Sequence, residues 1–310
     1  IRAFHSSPHD FERFDLSKIG TGEGAQVYGH GIYAAENPAV SGQGGQYWNQ
    51  FMSRMPSDEQ AAAGVLRNEG FNRQKAIEYS NWNLDQLRQG AEKGELDPHM
   101  MKLYEARQRQ HDLLTSGAPV GPRTYEVNIK ADPSQFLDWD KPVQGQPVFA
   151  SAAGSRNGLL RDVLSRTDTG ENLYKALSYD TGLWKKGSEA SKILAGEGIP
   201  GIKYLDEGSR ISSPDQIQAI RENIAHREAL LAERPGDPTN TKWLAEYQDM
   251  LKRAENPTSN YVVFDPANID ILKKYGIAGA AAAPVVGAAM GSTYDQGTYQ
   301  EPDPMQGTYQ

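Results

Sequence analysis

A chain of 310 residues accommodates one elaborated domain or two small ones, and with 38% hydrophobic and 23% charged residues it can pack a core while leaning polar. Its net charge of −8, from 32 Lys and Arg against 40 Asp and Glu, argues against broad nucleic-acid binding, which needs a basic footprint. The absence of cysteine excludes a disulfide framework and a thiolate metal site, and Pro8 between His5 and His9 removes the helix that a His ligand pair would use.

In chain order, Ile1–His5 reads as a short strand running into a loop at Ser6-Ser7-Pro8. The sequence opens on Ile1 with that strand already under way, so it reads as a piece of something longer, without a signal-peptide pattern. A Gly-rich stretch leads to a second short strand at Gly31–Ala35, which Glu36-Asn37-Pro38 ends. From Tyr47 to Leu114 apolar residues recur at helical spacing, as in Phe51, Met55, Ala62 and Leu66. Pro56-Ser57-Asp58 and Leu96-Asp97-Pro98 supply helix starts there, so two to four helices are predicted. Thr124–Ile129 alternates with period two and is the clearest strand. Phe136 to Pro142 reads as a turn-rich connection, Val163–Leu177 and Gly187–Gly196 as helices, and Ile199–Tyr204 as a strand after a tight turn. Pro214–Glu255 is again helical, Tyr261–Asp265 is the apolar run of a buried strand, and Ile269–Tyr275 closes the fold.

Strands interrupted by helical stretches, with no regular βαβ repeat, predict an α+β domain over residues 1–276. Its helical insertions fall at about 47–116 and about 214–256. Residues 277–310 turn Ala- and Gly-rich and then polar, and Gln296-Gly297-Thr298-Tyr299-Gln300 recurs as Gln306-Gly307-Thr308-Tyr309-Gln310. Such a composition buries too little apolar surface to order itself and reads as a linker or docking peptide. The weakly polar run from Ile277 to Met290 is too short to cross a bilayer as a helix, and no membrane span is expected.

Three stretches could carry chemistry. Phe4-His5-Ser6-Ser7 places a histidine at a strand end, where one ring nitrogen can bond a ribose hydroxyl and the next peptide can pair with an amide. Tyr28-Gly29-His30-Gly31-Ile32-Tyr33-Ala34-Ala35 flanks a turn with glycines that let a flat ligand approach the backbone, and Tyr33 offers a stacking face. Asn260-Tyr261-Val262-Val263-Phe264-Asp265 is the third. Alone, each admits a plain reading: a surface histidine beside a proline turn, a Gly-rich hairpin with a core tyrosine, and a core strand. Neither a G-x-G-x-x-G loop nor a Walker pattern is present.

Together and in this order, the three stretches resemble the ADP-ribosyltransferase superfamily of the diphtheria-toxin and poly(ADP-ribose) polymerase type. There an H-G-S/T strand, a G-x-G-I-Y-F-A strand and an E-Y-I-V-Y-D strand build the NAD⁺ site. Ser7-Pro8-His9-Asp10-Phe11, Ile19-Gly20-Thr21-Gly22-Glu23-Gly24-Ala25, Ala35-Glu36-Asn37-Pro38 and Gly198-Ile199-Pro200-Gly201-Ile202-Lys203-Tyr204 look like the version carried in phage and prophage polyvalent proteins. The resemblance implies a small split antiparallel β-core with helical insertions, and NAD as substrate. It implies that His5 binds the adenosine ribose, that the Ser6 backbone holds the nicotinamide carboxamide, and that Tyr33 stacks on the nicotinamide ring beside Gly31. Ser41 sits where the polymerases carry a nicotinamide-binding serine, and Tyr47 is the candidate second stacking aromatic.

Two positions depart from the pattern. Ser6 replaces the usual glycine, and Asn260 falls where the superfamily carries its catalytic Glu, which steadies the positive charge at C1′. An amide keeps a hydrogen bond but supplies no charge, and losing a charged stabiliser removes on the order of a hundredfold in rate. Glu255, Glu207 or Glu36 could enter from a loop. The implied activity is transfer of ADP-ribose to a macromolecular, host-derived acceptor by a toxin-like protein, acting from a phage virion or in the host cytoplasm after delivery. The other readings are a catalytically degenerate structural or interaction domain of a phage particle, with the C-terminal tail contacting virion proteins, and NAD⁺ hydrolysis without an acceptor.

Overall fold

The period-two runs become the strands of one mixed sheet, and the stretches of helical spacing become helices beside it. The computed structural model describes residues 1–19, 26–149, 157–180, 187–210 and 213–275. The Gly20–Ala25 part of the Gly-rich stretch and the tail predicted from residue 277 lie outside the described residues. The strands are β1 (Arg2–Ser7), β2 (Ile32–Ala35), β3 (Arg123–Ile129), β4 (Leu137–Asp138), β5 (Gly201–Leu205), β6 (Ser259–Val263) and β7 (Ile269–Tyr275). They lie in the order β4-β5-β6-β2-β1-β3-β7, antiparallel except for the β4–β5 pair. The fold is thus a mixed α/β arrangement around a mostly antiparallel sheet.

Two differences from the sequence reading have a tertiary cause. β1 continues through Ser6 and Ser7, where a loop is predicted, because these residues pair with Thr124 and Arg123 of β3. Leu137 and Asp138 form β4 inside the predicted connection, paired with Ile202 and Lys203 of β5. Neither pairing partner is near in sequence, so local propensity does not reveal them. The single helix expected over Val163–Leu177 is two, α6 (Gly158–Arg166) and α7 (Gly170–Asp180), followed by α8 (Gly187–Gly196). The break falls at Thr167–Thr169, where the chain pairs instead with the segment after β4, Thr169 bridging Pro142 and the Asp168 carbonyl accepting from the Val143 amide at 2.8 Å.

Side chains at paired positions share a sheet face. One face carries Ile202 and Tyr204 of β5, Asn260 and Val262 of β6, and Tyr33 of β2. There Ile202, Tyr204 and Val262 join Leu160, Val163, Leu173, Leu177 and Leu194 from α6–α8 in one core, with Tyr28 and Tyr33 partly buried against it. The opposite face carries Ile32, Ala34, Tyr125, Val127, Tyr261 and Val263, covered by Phe11, Phe14 and Leu16 of the segment after β1.

Between β2 and β3 the chain forms α1 (Pro38–Ser41), α2 (Gln46–Met52), α3 (Ser57–Asn68), α4 (Arg73–Lys93) and α5 (Pro98–Thr115). Asp97 caps α5 by accepting from the His99 and Met100 amides. Trp48, Ala62, Ala63, Leu66, Ala76, Leu114 and Val120 form a separate core there, tied to the approach to β3 by Trp48 Nε1 donating to the Pro122 carbonyl at 2.8 Å. Between β5 and β6, α9 (Pro214–Glu233) and α10 (Pro238–Glu255) pack on each other and bury only Ile220. Among the described residues no helix is long and apolar enough to cross a membrane.

Candidate functional site

The ladder is shortest between β1 and β2. These strands share one registered pair, Phe4 with Ala35, whereas β1 pairs with β3 over its whole length. Beyond that pair, side chains satisfy the backbone groups that a ladder would use. The Ser6 amide donates to Ser41 Oγ at 3.1 Å, Ser6 Oγ donates to the Ser41 carbonyl at 2.9 Å, and both residues are buried. Asn37 caps α1 through the Ala39 amide and so fixes the short helix that delivers Ser41.

His5 joins β1 to β2 from the other face. Its Nδ1 lies 2.7 Å from the Tyr33 carbonyl. A carbonyl only accepts, so Nδ1 carries the proton and Nε2 is left as the acceptor of a neutral ring. Burial lowers the pKa of His5, with the Tyr33 carbonyl opposing, which agrees with that neutral form. Phe14 meets the ring edge-on at 5.1 Å, and Phe11 and Tyr125 stand at 6.1 and 6.2 Å. Paired with Tyr125, His5 sits on the face opposite Tyr33 and Asn260. The expected trio of His5, Tyr33 and Asn260 therefore does not share a face.

On the other face, tyrosines gather around Asn260. The Tyr33 hydroxyl donates to the Gly29 carbonyl at 2.8 Å. Burial raises the Tyr33 pKa well above 10, and Tyr174, Tyr47 and Tyr28 add repulsion. Tyr204 lies opposite Asn260, and Tyr28 stacks on Tyr204 with centroids 3.8 Å apart. Burial also raises the Tyr204 pKa, Tyr33, Tyr47 and Tyr28 repel its ionised form, and the neighbouring Asn260 side chain opposes them. Asn260 Oδ1 is buried without a partner. Tyr47, on α2, is 39% exposed and near enough to Tyr33 and Tyr204 to perturb both.

Gly31 has a packing role. A Cβ there would lie 2.6 Å from the Val263 carbonyl oxygen and 2.7 Å from Val262 Cγ1, so the missing side chain lets β2 close on β6. At Gly29, with φ +120°, a Cβ would meet Ile202 and Tyr174 inside 3 Å. The intervening His30 is fixed by its amide donating to the Tyr174 hydroxyl at 2.9 Å and its carbonyl accepting from Ser191 at 2.8 Å.

None of the three glutamates proposed to replace the missing carboxylate enters this face. Glu36 accepts from the Ser259 amide at 2.9 Å and the Tyr261 hydroxyl at 2.8 Å, on the opposite face. Glu255 pairs with Arg221 at 3.0 Å, and Glu207 is exposed in the turn after β5. The sequence reading missed Tyr28, Tyr204 and Asp206, although Ile202, Tyr204 and Asp206 follow the two-residue alternation of one strand face.

Comparison with protein families, with curated proteins and with solved structures finds no match to the chain.

What the site can do follows from its groups. Among the described residues no cluster of His, Asp and Glu could hold a metal ion. The groups are a buried amide–hydroxyl pair (Ser6 and Ser41), several tyrosine rings, an unsatisfied amide oxygen and a neutral imidazole. Two depressions lie elsewhere, one lined by Phe14, Leu16, Pro266 and Ile271, the other by Lys130, Gln135, Pro200 and Phe264. Neither includes His5, Tyr33 or Asn260.

Proposed function

We propose that the chain is an NAD-dependent transferase with a split core of the ADP-ribosyltransferase type, moving ADP-ribose from NAD⁺ to a macromolecular acceptor. The observation that supports this reading is the single-pair ladder between β1 and β2, where Ser6 bonds Ser41 while His5 bonds the Tyr33 carbonyl from the far face. In this reading the nicotinamide carboxamide exchanges with the Ser6–Ser41 bond, the ring lies between Tyr33 and Tyr47, and the Asn260 oxygen accepts from the nicotinamide ribose. His5 Nε2 accepts from the second ribose. The C1′–N bond then breaks with its electron pair leaving on nicotinamide, and an acceptor atom adds to C1′ and gives its proton to solvent. The resemblance to phage polyvalent proteins makes the acceptor a host protein or nucleic acid, met from the virion or in the host cytoplasm.

The test is incubation of the full chain with labelled NAD⁺, alone and in a bacterial lysate. Nicotinamide release together with label on a macromolecule supports transfer, and release alone supports hydrolysis. The position of Glu36 favours a second reading, because its carboxylate is committed to Ser259 and Tyr261 while Asn260 is uncharged. There the domain binds NAD⁺ and serves as an interaction piece of a phage particle. NAD⁺ binding without nicotinamide release is its signature.

A further inference from the structure

Asp206 is a buried acid that none of the roles above uses. It is 2% exposed, and neutral groups hold both of its oxygens. Oδ1 accepts from the Ser209 amide at 2.7 Å, and Oδ2 accepts from the Thr258 hydroxyl in a short bond. Ser209 Oγ in turn accepts from the Thr258 amide at 2.9 Å. The Asp206 amide donates to the Thr258 carbonyl at 3.2 Å, which carries the β5–β6 pairing one step past Leu205 and Ser259. Since Tyr204 pairs with Asn260, Asp206 and Thr258 are the next couple along the same face. At a strand rise of about 3.3 Å per residue, this places Asp206 roughly 7 Å along the sheet from the Asn260–Tyr204 pair.

An acid suits the turn because both oxygens accept, one from the Ser209 amide and one from the Thr258 hydroxyl, where an Asn would offer a single acceptor. The same carboxylate brings a buried negative charge close to the next couple on this face. The neighbouring strand position, Asn260, is where a cation forming at a sugar carbon would need a counter-charge, and it carries none.

We propose that Asp206 is a positioning residue that supplies from β5 the negative charge that Asn260 lacks, while Thr258 passes its hold to the start of β6. The inference rests on the ADP-ribosyl transfer reading. As the C1′–N bond breaks and its electron pair leaves on nicotinamide, the positive charge left on the ribose lies in the field of Asp206. The carboxylate forms no bond to the sugar, and the acceptor atom that adds to C1′ loses its proton to solvent.

The experiment compares wild type, Asp206→Asn and Asp206→Asn/Asn260→Glu, full chain in each case. It measures nicotinamide release from NAD⁺ with water as acceptor, calorimetric NAD⁺ affinity and Tm. Asp206→Asn is expected to lower kcat by about tenfold or more with KM and Tm nearly unchanged, the size of a charge felt at this range. The double variant is expected to recover the rate, since it restores a carboxylate on the next couple of the same face, two residues along β6. Wild-type kcat in Asp206→Asn overturns the proposal. So does a loss that tracks a fall in Tm and is not recovered by Asn260→Glu. A wild type that binds NAD⁺ without releasing nicotinamide overturns the role of Asp206 and leaves the binding site standing, whereas absence of NAD⁺ binding removes the transferase reading as well.

Discussion

At the scale of single residues, the hydrogen bond from His5 Nδ1 to the Tyr33 carbonyl sets a pH dependence. The pKa of His5 lies below its ordinary 6.5 because burial disfavours the charged ring. The unfolded chain therefore takes up a proton near pH 6.5 that the folded chain refuses, and more protons bound to the unfolded state mean lower stability. The contribution of His5 is complete above that pH and is lost as pH falls towards the folded-state pKa. Urea unfolding at pH 7.5 and 5.5 is expected to show a steeper loss on acidification for wild type than for His5→Gln. Equal slopes would remove His5 from its buried position. His30, also lowered mainly by burial, acts in the same direction in both proteins. Asn260 carries a second residue-scale expectation. Asn260→Ala is expected to abolish nicotinamide release and Asn260→Glu to retain or raise it. An Asn260→Ala variant as fast as wild type would mean that another residue does this work. The motifs singled out His5, Tyr33 and Asn260 in the sequence, but not their placement on opposite faces. The resemblance named Ser6 and Ser41 separately, and the bond between them was not legible, because it joins a strand to a one-turn helix that no periodicity links.

At the scale of elements, β2 meets β6 closely because Gly31 has no side chain. The sequence suggests that this glycine clears room for a ligand, whereas its neighbours are the Val263 carbonyl and Val262. Gly31→Ala is expected to destabilise the fold by about 1–3 kcal/mol, the usual result of overpacking against atoms that cannot move aside. Chemical denaturation checks this, and an unchanged midpoint would contradict it. Trp48, 1% exposed in the core of α2–α5, gives a companion expectation: Trp48→Ala is expected to cost about 3–5 kcal/mol. Strands with alternating or continuous apolar runs, such as β3 and β6, were readable from the sequence. The two-residue β4 was not, since a pair of residues carries no period and its partner β5 lies far along the chain. The α6–α7 break was missed because apolar spacing does not register the bridge of Thr169 to Pro142 and the bond from the Val143 amide to the Asp168 carbonyl.

For the whole molecule, the sheet has two faces with different work. The face under α6–α8 gathers Tyr33, Tyr204 and Asn260, and the face under Phe11 and Phe14 holds His5. The alternation of each strand can be read from sequence, but which strands adjoin cannot, so the separation of His5 from Tyr33 emerges only with the order β6-β2-β1. The proposed transferase requires NAD⁺ to bind where β1 and β2 share their single pair. Calorimetric titration of the full chain with NAD⁺, for wild type and Tyr33→Ala, tests this most directly. One binding site is predicted for wild type, with affinity about tenfold weaker or worse in Tyr33→Ala through loss of the stacking ring. No binding by wild type, or equal affinity in both proteins, would contradict it.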